Sequence, residues 1–180
     1  MKILAISGSL REASLNSALL RAVSRIAPPG IEVTLYRGLG EIPLFNPDIE
    51  SNQPEPVANL REQILASDAL LIASPEYAHG VTGALKNALD WMVGNETFVY
   101  KPVALLNASP RATHAQAALR ETVRTMSARL VDEASITVPV LGSGLSEDEI
   151  VQHPEIAPAL RAALLSLKIT VDSRPPEQGT

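Results

Sequence analysis

Ile3-Leu4-Ala5-Ile6-Ser7-Gly8-Ser9-Leu10-Arg11-Glu12-Ala13-Ser14-Leu15-Asn16-Ser17 stands almost at the start of the chain, and its reading decides the architecture. Residues 3–6 are apolar without alternation, which predicts a strand buried on both faces. Small and polar residues follow. Leu15, Leu19, Val23 and Ile26 then recur at helical spacing, until Pro28-Pro29-Gly30 stops the helix. A strand covered on both sides needs helices above and below it, so the chain opens as an α/β protein.

The same alternation runs outward from this unit. Ile31, Val33 and Leu35 read as a second strand, and Val57, Leu60 and Ile64 as a helix. Between them lies a connection over residues 38–56 carrying Pro43, Pro47, Pro54 and Pro56. It is longer than ordinary loops, as segments that cover a site often are. Residues 69–73 form a buried apolar strand, residues 82–91 a helix and residues 103–106 a strand. Leu119, Val123, Met126 and Leu130 predict one helical stripe, residues 136–138 a last strand, and Ile156, Leu160, Leu164 and Leu167 a last helix. Five strands alternating with helices predict a flavodoxin-like fold: a five-stranded parallel sheet of order 2-1-3-4-5 with helices on both faces. A single domain is expected over residues 1–171, with a disordered tail at 172–180. In such a sheet, ligands sit at the carboxyl ends of the strands near the switch point between strands 1 and 3. The loops after Ile6, Ala73 and Leu106 are therefore the ones to read.

Composition narrows the chemistry. The 180 residues include 20 acidic and 15 basic ones, a formal charge of −5, which argues against a general nucleic-acid binder. There is no cysteine. Thiolate nucleophiles, disulfides, cysteine-bound zinc and iron–sulfur clusters are excluded. No apolar run approaches the ~18–20 residues of a membrane span, and the first run ends at Gly8, too short for a leader. A soluble, cytoplasmic protein without a cleaved leader is expected. His79, His114 and His153 show no metal-ligand spacing, so no metal site is expected. His79 and His114 lie on site loops, where a substrate-facing role is open to them. His153 reads as a surface residue.

The first site loop, residues 7–17, joins a strand to a helix and so presents backbone N–H groups and the positive end of a helix dipole. Its hydroxyls, the Arg11 fork and the Asn16 amide suit phosphate oxygens. The plain structural alternative is Ser14 as a helix cap and Arg11 as a solvated charge. The loop has neither the Gly-Lys-Ser/Thr ending of a triphosphate loop nor a G-x-G-x-x-G turn. The second, residues 74–83, contains Pro75, Glu76 and Tyr77 and can lay backbone groups along the edge of a flat ring. The third, residues 107–114, contains Ser109 and Arg111.

Gly8-Ser9-x-Arg11-x-x-Ser14-x-Asn16, together with Pro75-Glu76-Tyr77 leading into Gly83-Ala84-Leu85-Lys86-Asn87-Ala88-Leu89-Asp90-Trp91, resembles the NAD(P)H-dependent FMN reductase family. Flavin, quinone, azo-dye and chromate reductases belong to that family. The resemblance covers residues 1–170. It implies that Ser9, Arg11, Asn16 and Ser17 hold the FMN phosphate and that Pro75, Glu76 and Tyr77 line the isoalloxazine, with Ser109 supplying a further ring contact. Ala78 stands where relatives often have Asn after the tyrosine. The implied activity is hydride transfer from NAD(P)H to FMN and on to a quinone, free flavin or azo dye as small-molecule acceptor. The implied assembly is a homodimer or homotetramer. A flavodoxin-type electron carrier without NAD(P)H activity is the alternative, against which Arg11 and the modest charge speak.

Overall fold

In the computed structural model, which describes residues 1–140 and 142–173, the first strand β1 (Lys2–Ser7) runs between β2 (Glu32–Leu35) and β3 (Ala69–Ala73). A two-stranded ribbon, β4 (Glu76–Tyr77) and β5 (Gly80–Val81), stands outside the main sheet, which continues with β6 (Pro102–Leu106) and β7 (Arg129–Leu130). The sheet order is β2-β1-β3-β6-β7, all parallel, which is the expected 2-1-3-4-5 order once the ribbon is set aside.

Alternation along each strand divides the core. Ile3, Ala5, Leu71, Ala104 and Leu106 face α1 (Leu15–Ile26) and the last helix. Leu4, Ile6, Leu70, Ile72 and Leu105 face α2 (Glu55–Leu65), α3 (Gly83–Val93) and α4 (Thr113–Thr125). Every residue of β3 and β6 is buried, as uninterrupted apolar runs require when both faces are covered. The acidic run at Glu147 starts α5 (Glu147–Gln152), where Ser146 and Glu149 form a capping box. α6 (Ile156–Asp172) closes the fold, and the tail expected from residue 172 lies, beyond Ser173, outside the described residues.

The fifth strand departs from its expected form. α4 ends at Thr125, and Ser127 turns the chain with a left-handed φ of 61°. Leu130 therefore lies in β7, paired with Val103, and not on the helix. The 4-3-4 spacing arises because a helix and a strand pack residues into the same core. The strand expected at 136–138 is a single bridge, Asn107 to Thr137. A 3-10 turn at Asp132–Ala134 separates it from β7, and the Ser135 hydroxyl fills the gap by accepting from the Leu105 N–H (3.0 Å).

The long connection is held from α3. Asn87 accepts from the Phe45 N–H (2.8 Å) and donates to the Pro43 carbonyl (2.9 Å), to which the Trp91 indole also donates (2.8 Å). The Phe45 ring meets Trp91 edge-on at 5.1 Å. Asn87→Ala removes the acceptor of the half-buried Phe45 N–H and leaves the Pro43 carbonyl to the Trp91 indole. It should destabilise the chain by about 1–3 kcal/mol in urea unfolding and speed amide exchange at Phe45.

Across the opposite face, Arg21 and Arg25 bind Glu147 (2.7 and 3.1 Å), joining α1 to α5. The hydrogen bond from Arg21, opposed by desolvation and aided by Arg25, holds the Glu147 carboxyl below its ordinary range. A depressed carboxyl stabilises the fold above its unfolded value, and that contribution vanishes as pH falls through the folded one. Glu147→Gln should thus lower stability at pH ~7 by less than about 1 kcal/mol, since the pair is partly solvated. Urea midpoints of variant and parent should converge by pH ~3.

Candidate active site

At the carboxyl ends of β1, β3 and β6 the three loops enclose a cleft of about 330 Å³. Gly8 joins the first loop to the end of β3. Its N–H donates to the Ala73 carbonyl (2.8 Å), and its carbonyl accepts from the Thr82 hydroxyl (2.6 Å), which also caps α3. A Cβ at Gly8 would lie 2.8 Å from the Ser74 Cβ and 3.2 Å from Leu85, so only glycine lets the first loop lie against β3. The first two site loops are thereby locked together.

Ser9, Arg11 and Asn16 from the first loop line this cleft with Pro75, Glu76 and Tyr77 from the second and Ser109 and Arg111 from the third. Seven of the eight residues expected at the site are thus brought together. Ser17 stands apart: its hydroxyl pairs with Ser7 (2.8 Å), and it does not line the cleft. Ser14 does cap α1, accepting from the Ser17 N–H (3.3 Å), yet it also borders the cleft, so capping and site roles coexist. Arg111, which with Arg11 is a plausible partner for a dinucleotide 2′-phosphate, joins the lining as well.

Two features mark the loop after β1 as an anion cradle. Arg11 is exposed, and among the described residues no carboxylate pairs with it. Asn16 is buried to 7% exposure while its Oδ1 has no hydrogen-bond partner. An unsatisfied buried amide is costly unless a ligand completes it, and a half-turn of the group offers Nδ2 as a donor instead. This unpartnered amide, the hydroxyl of Ser9 and a free guanidinium form the donor set that a phosphate monoester needs. The residues present fit an FMN phosphate.

The opposite wall is a hairpin braced on α4. The Glu76 carboxylate accepts from the Ala115 N–H (2.8 Å) in the first turn of α4, which has no side-chain cap of its own. Glu76 therefore ties the wall to α4 while still lining the cleft, beside Tyr77, which is half exposed. Sequence reading took residues 74–83 as an open loop, because strands of two residues leave no periodic signal. The Ser109 hydroxyl accepts from the Arg111 N–H (3.3 Å), which keeps its own proton free to donate into the cleft.

A family model described as NADPH-dependent FMN reductase matches residues 1–140. An NAD(P)H-dependent FMN reductase of Pseudomonas aeruginosa is 43% identical over 68% of this chain and 69% of its own length. A quinone reductase of Escherichia coli is 34% identical over 61% of this chain and 60% of its own. Among solved structures, a flavoenzyme NAD(P)H:(acceptor) oxidoreductase of Paracoccus denitrificans superposes with a TM-score of 0.70 at 26% identity, covering 95% of both chains. The chain belongs to the NADPH-dependent FMN reductase family and is accordingly an oxidoreductase served by FMN and NAD(P)H.

Proposed function

We propose that the protein reduces a small quinone at this cleft. Bound FMN supplies the hydride relay between NAD(P)H and the acceptor. The chain's part is to bind, orient and exclude water. Ser9, Arg11 and Asn16 hold the phosphate, and Ser17, through Ser7, braces the base of the loop. Pro75, Glu76 and Tyr77 form the wall along the ring, with Ser109 as a donor at its edge. The observation that carries this reading is the buried, unpartnered Asn16 amide beside the unpaired Arg11. The quinone is favoured over a free flavin or an azo dye by the quinone reductases among the relatives. Arg11 and Arg111 both border the cleft and are the candidates for a nicotinamide dinucleotide's phosphates.

The reading extends to setting. No helix among the described residues is long and apolar enough to cross a membrane, and we place the protein in the cytoplasm, where NAD(P)H is available. The net charge of −5 speaks against a nucleic-acid partner. A homodimer or homotetramer is supported by Leu44, which is 83% exposed on the segment that Asn87 and Trp91 hold rigid. A preorganised apolar anchor of this kind suits association.

The phosphate assignment is tested by flavin titration. The parent should prefer FMN to riboflavin, and Arg11→Ala should weaken FMN by about 10- to 150-fold, equivalent to ~1.5–3 kcal/mol for a charge-assisted hydrogen bond. Equal affinity for FMN and riboflavin would overturn it. The redox role is tested separately under anaerobic conditions. NADPH or NADH should bleach the flavin absorbance, and 1,4-benzoquinone should restore it. Bleaching by dithionite alone would favour an electron carrier instead.

A further inference from the structure

The ribbon beside the cleft carries a feature that the flavin site does not use. Its strands have two residues each, too few to hold a hairpin unaided. The turn joining them places two consecutive residues with side chains, Ala78 (φ 49°) and His79 (φ 61°), in the left-handed region. That region is disfavoured for any residue bearing a Cβ. Gly80, which would adopt it freely, sits one position further on, paired with Tyr77. Strain of this kind persists only where the surroundings enforce it, and it concentrates at functional positions.

What the strained turn achieves is the placement of one imidazole on another. The His79 ring lies 4.3 Å from the ring of His114, with the planes at 53°. His114 belongs to the first turn of α4, so the two rings arrive from separate elements. Both residues are exposed, and neither ring has a hydrogen-bond or ion-pair partner among the described residues.

We propose that His79 and His114 form a two-imidazole clamp for a divalent first-row transition-metal ion, Cu²⁺ or Ni²⁺, that ties the hairpin tip to α4. A metal–imidazole bond of about 2.0–2.1 Å puts each ring centre about 3.1 Å from the ion. Two rings at right angles around it are then about 4.4 Å apart, and two at a tetrahedral angle about 5.1 Å. The observed 4.3 Å is close to the right-angle spacing of tetragonal Cu²⁺ and Ni²⁺. No group of three or more His, Cys, Asp or Glu side chains gathers for a metal among the described residues, so water completes the coordination. The ion would stiffen the wall that carries Glu76 and Tyr77.

Calorimetric titration of the flavin-loaded protein with NiCl₂ tests the clamp without reference to turnover. One ion per chain is expected, together with a rise in Tm. His79→Gly and His114→Ala should each weaken Ni²⁺ binding by at least about tenfold and remove the Tm rise. Glycine suits the left-handed position, so the first variant keeps its hairpin while losing a ligand. His153→Ala should leave binding unchanged. The clamp is overturned by absence of binding at millimolar Ni²⁺, by unchanged affinity in either of the first two variants, or by a loss in His153→Ala.

Discussion

The pairing of β1 with β3, in the register Ile3 to Ala69 through Ser7 to Ala73, is the constraint on which the molecule depends. Chain leaving β1 and chain leaving β3 pass to opposite faces of the sheet, so a crevice opens between their loops. Gly8 extends the ladder one step beyond the strands by donating to Ala73, and Thr82 receives it from the other side. Without that close approach the two loops would part. The first and second site loops would then no longer face each other across the cleft.

Around this switch point, rigid and strained parts divide the work. The first site loop takes its shape from local rules, a strand end followed by a capped helix, and its buried Asn16 Oδ1 has no hydrogen-bond partner. The wall opposite is held from outside, by Glu76 reaching α4 and by the turn at Ala78 and His79. A residue with a short polar side chain would tolerate that turn more readily than Ala78 does. Two left-handed residues are what a two-residue hairpin turn requires, and Ala78 and His79 supply them here.

Other motif residues serve placement and not chemistry. Asn87 and Trp91, inside the stretch that made the chain recognisable, face away from the cleft and grip the backbone of residues 42–45. Their use is to order a proline-rich connection that has no regular ladder of its own. Leu44 is thereby presented to solvent on a stiff support.

The sequence by itself determined the layered α/β architecture, the strand order and the three site loops. Uninterrupted apolar runs and helical stripes are local signals, and strands buried on both faces admit few arrangements. Ser9, Arg11, Asn16, Pro75, Glu76, Tyr77 and Ser109 were legible as a group through the resemblance of two motifs to a known family, and the strand ends bring them to one cleft. Tertiary structure alone decided the rest. Leu130 left the helix for β7 because a strand residue can fill the same core as a helix stripe, and spacing cannot tell them apart. Ser17 turned to Ser7 and Glu76 to Ala115 because hydrogen-bond partners are chosen in space. The meeting of His79 with His114 joins a left-handed hairpin turn to the first turn of α4, two elements that only tertiary packing brings together.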